Sequence, residues 1–283
     1  MIDYKEICDR VCVLAREVGS YLKAERDNLH DLRVETKGVH DYVTQFDKES
    51  ERRIVDCLQG LLPEAGFITE ENTIQVIKDK YNWIIDPLDG TTNFIHTFPI
   101  AAVSIALKEA DEIVVGVVYE MYRNECFYAY KGGGAYLNGK AISVSGCKEL
   151  NDSLLVTGFP FTNFDRLPQF MDYLQWSMQH TRGLRRLGSA ATDLAYVACG
   201  RVDGFYEYNL KPYDVAAGAF IVQQAGGMNA DFGGGGNWLF GGEIVSAGAN
   251  LLHNSHYFTL HAGSPVMVIK EPDDYDDSVL FIE

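Results

Sequence analysis

Apolar residues recur along this chain with two different spacings, which predict alternating helices and strands. Ile7, Val11, Leu14 and Val18 lie three or four residues apart, and this spacing predicts an amphipathic helix over residues 4–29. Similar patterns and helix-start signals predict further helices over residues 48–61, 166–180, 189–199, 212–225 and 250–260. Small residues at 216–219 indicate that the helix over 212–225 packs closely against a sheet.

Alternating or continuous apolar runs predict strands between these helices. Residues 100–108, 113–120 and 125–129 are separated by short turns and predict an antiparallel meander. Residues 35–43 predict a loop and a strand leading to the second helix, and shorter runs predict strands at 67–68, 153–157, 204–208 and 244–247. The pattern as a whole indicates an α/β fold built from layers of helix and sheet.

The predicted elements indicate one domain with two lobes and a short extension. The domain covers residues 1–262, with lobes at about 1–146 and 147–262, and an acidic C-terminal extension covers residues 263–283. The extension is either a disordered acidic tail or adds strands at 266–269 and 279–282. Before residue 41, Lys37 is either a solvated loop residue or a contributor to a third ion or phosphate site.

Composition and charge narrow the classes of function. The chain has 283 residues, of which 47% are hydrophobic and 23% charged, as in ordinary globular enzymes. The formal net charge of -16 argues against broad binding to nucleic acid or to an anionic membrane. No apolar run approaches a membrane span, the first residues lack a signal-peptide core, and the six cysteines form no C-x-x-C pair, so a reducing cytoplasm is predicted.

The most informative stretch reads Trp-Ile-Ile-Asp-Pro-Leu-Asp-Gly-Thr-Thr-Asn-Phe and begins at residue 83. An apolar strand leads directly into Asp86 and Asp89, and carboxylates this close repel each other unless a cation lies between them. Carboxylate and carbonyl oxygens suit Mg²⁺, which readily shares its ligands with a substrate phosphate. Gly90 and Thr91 then open a helix whose N–H groups can face an anion. The alternative is a plain Asp-Pro-x-Asp-Gly turn with Pro87 at its second position.

Further acidic residues lie at predicted element ends. Glu70 and Glu71 follow a short apolar strand, Asp47 opens the helix over 48–61, and Asp214 follows Pro212 in the first turn of a helix. Each has a purely structural interpretation. Asp47 and Asp214 can act as helix caps, and the two glutamates can form a solvated edge.

Taken in order, these motifs resemble those of the inositol monophosphatase family, within the wider superfamily of Mg²⁺-dependent, lithium-sensitive phosphatases. The resemblance extends from about Tyr4 to about His261. It is carried by the two acidic motifs above and by Asp-Tyr-Val-Thr from residue 41, Gly-Gly-Gly-Ala-Tyr-Leu-Asn-Gly from 132, Thr-Gly-Phe-Pro-Phe from 157 and Arg-Leu-Gly-Ser-Ala-Ala from 186. The resemblance implies a five-layered αβαβα sandwich of the inositol monophosphatase and fructose-1,6-bisphosphatase type, and a homodimer.

The resemblance also implies roles for individual residues. It implies Mg²⁺ ligands at Glu70, Asp86, the Leu88 carbonyl, Asp89 and Asp214, with two to three ions in total. Thr91 and Asp47 match the pair that orients and deprotonates the attacking water. The resemblance implies that Glu70 is also a catalytic residue. Gly90 and Thr91 would donate backbone N–H groups to the phosphate. Positions facing an inositol ring are matched by Ser189, Ala190 and Glu207.

These roles predict Mg²⁺-dependent hydrolysis of a phosphate monoester, foremost inositol 1-phosphate. Two ions would stabilise the entering and leaving oxygens, and Asp47 would act as general base through Thr91. No Cys or His stands beside the motif as a nucleophile, and an Asp-x-Asp is absent from it, so no phosphoenzyme is predicted. The alternatives are hydrolysis of fructose 1,6-bisphosphate, NADP or 3′-phosphoadenosine 5′-phosphate, or an inactive scaffold or regulatory protein.

Overall fold

A computed structural model describes residues 2–28, 34–38, 41–160, 162–254, 259–260 and 267–268. The helices in this part of the chain are, in order, α1 (Tyr4–Asn28), α2 (Gln45–Leu61), α3 (Thr91–Ile95), α4 (Leu167–His180), α5 (Ala190–Ala198), α6 (Pro212–Gln224) and α7 (Ala249–Asn254). The strands are β1 (Val34–Gly38), β2 (Asp41–Thr44), β3 (Gly66–Thr69), β4 (Tyr81–Asp89), β5 (Ala102–Glu109), β6 (Glu112–Glu120), β7 (Glu125–Tyr130), β8 (Gly134–Leu137), β9 (Lys140–Ala141), β10 (Leu154–Thr157), β11 (Gly183–Arg185), β12 (Gly204–Tyr208), β13 (Gly227–Ala230), β14 (Glu243–Gly248), β15 (Thr259–Leu260) and β16 (Met267–Val268).

Two large sheets organise the molecule. The first contains strands β3 to β9 in sequence order, and all its neighbours are antiparallel except β3 and β4. The second has the order β11-β10-β12-β14-β13, with β10 parallel to both β11 and β12. The predicted meander is confirmed as β5, β6 and β7.

Helices and sheets alternate in five layers. Helices α1 and α2 pack on one face of the first sheet, α5 and α6 lie between the two sheets, and α4 packs on the outer face of the second sheet. Every residue of α5 is buried, as expected for a helix inside the molecule. The predicted αβαβα layering is therefore confirmed. The division into lobes near residue 146 stays a prediction.

Small residues let the central helices approach their neighbours closely, as the sequence predicts. A Cβ atom added at Gly116 in β6 would lie 2.8 Å from the Ala217 carbonyl oxygen of α6. A Cβ atom at Gly218 would lie 2.6 Å from the Leu194 side chain of α5. Larger residues at either position would separate layers that are packed at the density of a protein interior.

Several predicted boundaries are wrong. Helix α2 begins at Gln45, earlier than predicted, because Thr44 is its N-cap and Asp47 lies in its first turn. The predicted helix over 250–260 ends at Asn254, and Thr259–Leu260 is instead a strand paired with Met267–Val268. Strands β8, β9, β11 and β13 were not predicted. Of the two strands suggested for the acidic extension, the one at 266–269 is present as Met267–Val268, and the one at 279–282 lies outside the described residues.

Candidate active site

The acidic motif lies where β4 leaves the first sheet. Asp86 pairs with Ser104 of β5 and Asp89 pairs with Ala102, so three steps along β4 match two along β5. The extra residue makes a β-bulge next to Pro87, which has no N–H for the ladder. The alternative of a plain turn between the two aspartates is therefore wrong, because the strand continues to Asp89. The bulge lets both carboxylates reach the same side of the sheet end.

Asp214 completes a cluster with these two aspartates. One carboxylate oxygen from each of Asp86, Asp89 and Asp214 lies within 4.8 Å of the other two. Asp214 comes from the first turn of α6, where its Oδ2 accepts a hydrogen bond from the Lys211 backbone N–H at 2.6 Å. The helix cap inferred from the sequence is therefore present. It occupies one oxygen of Asp214 and leaves the carboxyl group in the cluster.

The N-terminus of α5 holds Asp89 in place. Its Oδ2 accepts hydrogen bonds from the Ser189 hydroxyl and the Ala191 N–H, both at 2.7 Å. Ala190 contributes a further backbone hydrogen bond that lowers the pKa of Asp89. The structure thus places Ser189 and Ala190 beside a candidate metal ligand, and their predicted contact with a substrate ring stays a prediction.

The three carboxyl groups are protonated more readily than isolated aspartates. Burial, followed by the nearby Glu70, Asp89 and Asp214, raises the pKa of Asp86 well above its usual value. Burial and the charge of Asp89 likewise raise the pKa of Asp214. Burial raises the pKa of Asp89 to about 6, and the hydrogen bonds from Ser189 and α5 limit that rise. Without a counter-charge, ionised carboxylates here repel one another.

Glu70 borders this cluster at the end of β3. Its backbone N–H donates to the Ile85 carbonyl at 3.2 Å, which places residue 70 beside Asp86. The Glu70 and Asp86 side chains interact through a hydrogen bond, and this contact contributes to the raised pKa of Asp86. Glu71 points its N–H to Glu51 of α2 at 2.6 Å. The predicted solvated edge is therefore a loop anchored on both sides.

Thr91 and Asp47 meet next to the cluster, as their predicted partnership requires. The Thr91 hydroxyl lies 3.1 Å from Asp47 Oδ1 and 3.0 Å from the Leu88 carbonyl oxygen. Asp47 Oδ2 also accepts hydrogen bonds from the backbone N–H and the hydroxyl of Thr44, which form the cap of α2. Asp47 is therefore a helix-capping residue and a partner of Thr91 at the same time.

Gly90 allows the abrupt change from strand to helix. Its φ of 96° lies in the left-handed region, where residues with a side chain are strained. A Cβ atom there would also lie 3.1 Å from the Ile100 carbonyl and 3.2 Å from the Gly188 carbonyl. Helix α3 begins at the next residue. The first N–H groups of a helix have no acceptor within the helix, so they can donate to another group.

Glu207 lies on β12 in the second sheet, facing the same region. Burial raises the pKa of Glu207 to about 8, with Arg186 lowering it and Asp89 raising it. A Cβ atom added at Gly158 would lie 1.9 Å from the Glu207 carboxyl group, so this carboxyl packs directly on the Gly158 backbone. Asp193 of α5 is a further buried acid near Glu207 and Asp89, and its Oδ1 has no hydrogen-bond partner among the residues that the structure describes.

Several residues that support the site were missed by the sequence analysis. Asn93 Nδ2 donates to the carbonyls of Ile100 and Leu187, which ties α3 to the segment before α5. The Arg26 guanidinium donates to the carbonyls at the end of α3. Buried Glu51 was missed as well, although its four-residue spacing from Asp47 puts both acids on one face of α2. Lys37 lies in β1, and its side chain is outside the described part.

The donor set fits a hard divalent cation. Mg²⁺ takes oxygen ligands in octahedral geometry at about 2.0–2.1 Å, so ligand oxygens on one ion lie about 3–4 Å apart. The three aspartate oxygens approach this spacing. Burial and mutual repulsion raise the pKa values of these aspartates, and a bound cation would relieve that repulsion.

Comparison with known proteins agrees with this geometry. The model of the inositol monophosphatase family matches residues 3–262. The chain belongs to the inositol monophosphatase family. The resemblance inferred from the sequence motifs is thereby confirmed. This family consists of phosphatases, so a metal-dependent phosphatase is the class of protein that the site and the family support together.

Relatives and solved structures match most of the chain. The Nus factor SuhB of Pasteurella multocida (strain Pm70) is 41% identical over 239 residues, covering 84% of this chain and 90% of that protein. The Nus factor SuhB of Vibrio cholerae serotype O1 is 42% identical over 234 residues, covering 82% and 88%. The extragenic suppressor protein suhB of Bartonella henselae has a TM-score of 0.83 at 37% identity, with 87% and 95% covered. An IMPase of Thermotoga maritima has a TM-score of 0.79 at 34% identity, with 88% and 94% covered.

Two further observations concern membrane insertion and the state of the cysteines. Within the described residues, every helix is too short or too polar to span a bilayer. All six cysteines are free thiols. The predicted cytoplasmic location stays a prediction.

Proposed function

We propose that this protein hydrolyses a phosphate monoester with Mg²⁺, and that its preferred substrate is inositol 1-phosphate. The observation that carries the proposal is the convergence of Asp86, Asp89 and Asp214 from two separate parts of the chain, beside the Thr91–Asp47 contact. A purely structural explanation does not account for it, because ionised acids placed together at a buried sheet end destabilise the fold.

The proposed ligands are Asp86, Asp89, Asp214, Glu70 and the Leu88 carbonyl. Mg²⁺ bound there would lower the pKa of water and neutralise charge on the phosphate and the leaving oxygen. Two to three ions are proposed, and Asp86 would help to hold them. Lithium sensitivity is proposed together with the metal site.

The chain's own residues supply positioning and proton transfer. The Thr91 hydroxyl, donating toward Asp47, keeps lone pairs free to accept a hydrogen bond from the attacking water. Asp47 serves as general base, and the two hydrogen bonds from Thr44 keep its carboxylate oriented. The N–H groups of Gly90 and Thr91 hold a phosphate oxygen at the start of α3. The water attacks phosphorus directly while the bond between phosphorus and the alcohol oxygen breaks. The alcohol leaves after taking up a proton from solvent water, and no residue is phosphorylated.

Glu207 supports a polyol as the alcohol part of the substrate. Its carboxyl group is buried, packs on Gly158 and lies near Asp89. A buried carboxyl group, whether protonated or ionised, can form hydrogen bonds with hydroxyl groups such as those of a cyclitol. The same feature suits sugar phosphates, so fructose 1,6-bisphosphate, NADP and 3′-phosphoadenosine 5′-phosphate are competing substrates in the test.

The test measures phosphate release from these four esters with and without Mg²⁺. Asp89→Asn keeps the size of the side chain and its contact with Ser189 but removes one charge from the cluster. We expect inositol 1-phosphate turnover that requires Mg²⁺, is inhibited by Li⁺ and falls about 10²–10³-fold in Asp89→Asn. Asp111→Asn, at an exposed loop position, is the matched control. Absence of turnover with every ester, despite Mg²⁺ binding, would refute the proposal.

A second candidate role comes from the relatives, which are named Nus factors at 41–42% identity. Such a role would rest on surface contacts with other macromolecules and need not use the metal cluster. With a net charge of -16, a protein partner fits better than a direct nucleic-acid partner. If Asp89→Asn replaces the wild-type protein in its native cell without loss of growth, the cellular role is independent of hydrolysis.

A homodimer is also proposed from the family resemblance. Sedimentation analysis of the purified chain tests it directly. A single species at the monomer mass across micromolar concentrations would overturn this part of the proposal.

A further inference from the structure

Glu51 is a buried acid with no part in the reaction described so far. It lies one turn after Asp47 in α2, and its side chain is fully buried. An isolated buried carboxylate is costly unless donors satisfy it. Among the described residues, the donors to Glu51 come from one loop, the segment that follows Glu70.

Three hydrogen bonds join Glu51 to this loop. Its Oε2 accepts from the Glu71 backbone N–H at 2.6 Å. Its Oε1 accepts from the Thr73 backbone N–H at 2.8 Å and from the Thr73 hydroxyl at 2.6 Å. Bonds of a carboxylate to backbone N–H groups are among the stronger hydrogen bonds in proteins. The backbone on the C-terminal side of Glu70 is therefore fixed to α2.

The other side of the loop is fixed to the metal cluster. Glu70 donates its N–H to the Ile85 carbonyl, and its side chain meets that of Asp86. Asn72 has a φ of 55° and donates from its side chain to the Glu70 carbonyl at 3.0 Å. Glu70 thus stands between two anchors, β4 on one side and Glu51 on the other.

We propose that Glu51 is a positioning residue that holds Glu70 at the edge of the aspartate cluster and so sets the affinity for the divalent cation. The inference rests on the proposed metal site. It also gives α2 two functions along one face, since Asp47 in its first turn contacts Thr91 while Glu51 fixes the loop of Glu70. The residues on either side of the proposed site are therefore positioned by one rigid helix.

Glu51→Gln tests this with a minimal change of shape. Its amide nitrogen must face donors of the loop where a carboxylate oxygen now accepts, so at least one contact is lost. We expect the Mg²⁺ concentration for half-maximal activity to rise about tenfold or more, with a smaller change in kcat at saturating Mg²⁺. Glu49→Gln is the matched control, because Glu49 is an exposed glutamate of the same helix that pairs with Arg53.

Cation binding without any ester provides a readout that is independent of catalysis. Calorimetric titration of Mg²⁺ into the ester-free protein should show the same tenfold weakening in Glu51→Gln and none in Glu49→Gln. If the wild-type protein binds Mg²⁺ but hydrolyses no ester, the proposed function fails while this titration still decides the role of Glu51.

Thr73→Val is the second variant, since it removes a single contact at an exposed position. It should weaken Mg²⁺ binding by a smaller factor, and Thr73→Ser should restore it. If Glu51→Gln does not fold, the Mg²⁺ affinities of Thr73→Val and Thr73→Ser test the proposal instead. Unchanged Mg²⁺ affinity in the folded variants, with only a lower melting temperature, would show that Glu51 stabilises the fold and does not position Glu70.

Discussion

The two ends of strand β12 place carboxyl groups in opposite surroundings. Asp203, just before the strand, accepts from the Ser145 hydroxyl at one oxygen and from the Leu154 N–H at the other, each at 2.6 Å. Glu207, near the other end, lies in a region of acids that includes Asp89 and Asp193. The first carboxylate is matched by donors, whereas the second region has an excess of negative charge.

This difference separates structural acids from acids prepared for a ligand. A carboxylate surrounded by hydrogen-bond donors stabilises its ionised form without help. Acids that mainly face other acids raise one another's pKa, and a cation or a substrate hydroxyl can relieve the conflict. Among the described residues, the group of three closely spaced carboxylates lies at the end where α2, α3, α5 and α6 begin. Positive ends of helix dipoles partly offset the charge there.

Removing a member of the acidic cluster should have the largest effect. In Asp86→Asn, kcat should fall about 10³-fold, because a proposed Mg²⁺ ligand is lost and several kcal/mol of charge stabilisation disappear from the transition state. The metal-free protein should become more stable to urea, because a repulsive charge is removed from a buried site. Steady-state kinetics and urea unfolding without Mg²⁺ measure both effects.

The exposed Asp79→Asn is the control for this substitution. Activity above a tenth of the wild-type value in Asp86→Asn would contradict the assignment. Reduced stability of the metal-free variant would indicate that Asp86 is a structural acid like Asp203.

The next effect is a pH dependence of stabilisation by Mg²⁺. The folded-state pKa of Asp89 is about 6, against about 3.9 for an unfolded aspartate, and the pKa values of Asp86 and Asp214 are raised as well. Groups with raised pKa values stabilise the metal-free fold below the unfolded pKa, and this stabilisation is lost as the pH rises through the folded pKa. Metal-free protein should therefore lose stability from about pH 4 upward through pH 6.

Mg²⁺ should reverse that loss, because it competes with protons for the same oxygens. At about 100 times its Kd, we expect Mg²⁺ to raise the melting temperature by about 5 °C at pH 8 and by less than half as much at pH 5. Differential scanning fluorimetry with ionic strength balanced by NaCl measures this. Equal shifts at both pH values would mean that the cation binds away from the cluster.

Periodicity predicted most elements because their burial is continuous. The apolar spacing of α1 and the meander of β5 to β7 each bury one face or both along their whole length. The short strands β11 and β13 carry few apolar residues and are specified by their neighbours in the second sheet. Thr259–Leu260 was mistaken for a helix for the same reason, since its pairing with Met267–Val268 is not visible in local spacing.

The residues of the candidate site also differ in whether a local sequence pattern reveals them. Asp86, Asp89, Asp214, Asp47 and Thr91 belong to short motifs with recognisable residue order, so their convergence could be anticipated. Glu51 could not, because its donors lie 20 and 22 residues away and two of them are backbone N–H groups that carry no residue signature. Asp193 was hidden for another reason. A single acid in an alanine-rich helix suggests a solvated face, and only the position of α5 between two sheets buries it.

Ser189 offers a smaller perturbation of the acidic end. Its hydroxyl donates to Asp89 and also caps α5 by accepting from the Thr192 N–H at 3.3 Å. Ser189→Ala should lower kcat/KM about tenfold through Asp89 and lower the free energy of unfolding by about 1 kcal/mol through the cap. Ser189→Gly separates the effect on Asp89 from the effect on the helix cap. Glycine removes the hydroxyl, but at an N-cap it costs only roughly a few tenths of a kcal/mol. Kinetics of Ser189→Gly that match the wild type would show that the hydroxyl does not tune Asp89.

The smallest effect on activity is expected at the donor-rich end of β12. In Asp203→Asn the side-chain oxygen can keep the Leu154 N–H only if the amide nitrogen faces Ser145, whose hydroxyl must then accept instead of donate, so the free energy of unfolding should fall by about 1 kcal/mol. The kcat and the Mg²⁺ dependence should stay unchanged, because this end contributes no ligand. Ser145→Ala, which removes one donor alone, should cost less, and the double variant should cost less than the sum. An altered Mg²⁺ requirement in Asp203→Asn would show that the two ends of the strand are coupled, and the distinction between matched and unmatched acids would then fail as a guide to the site.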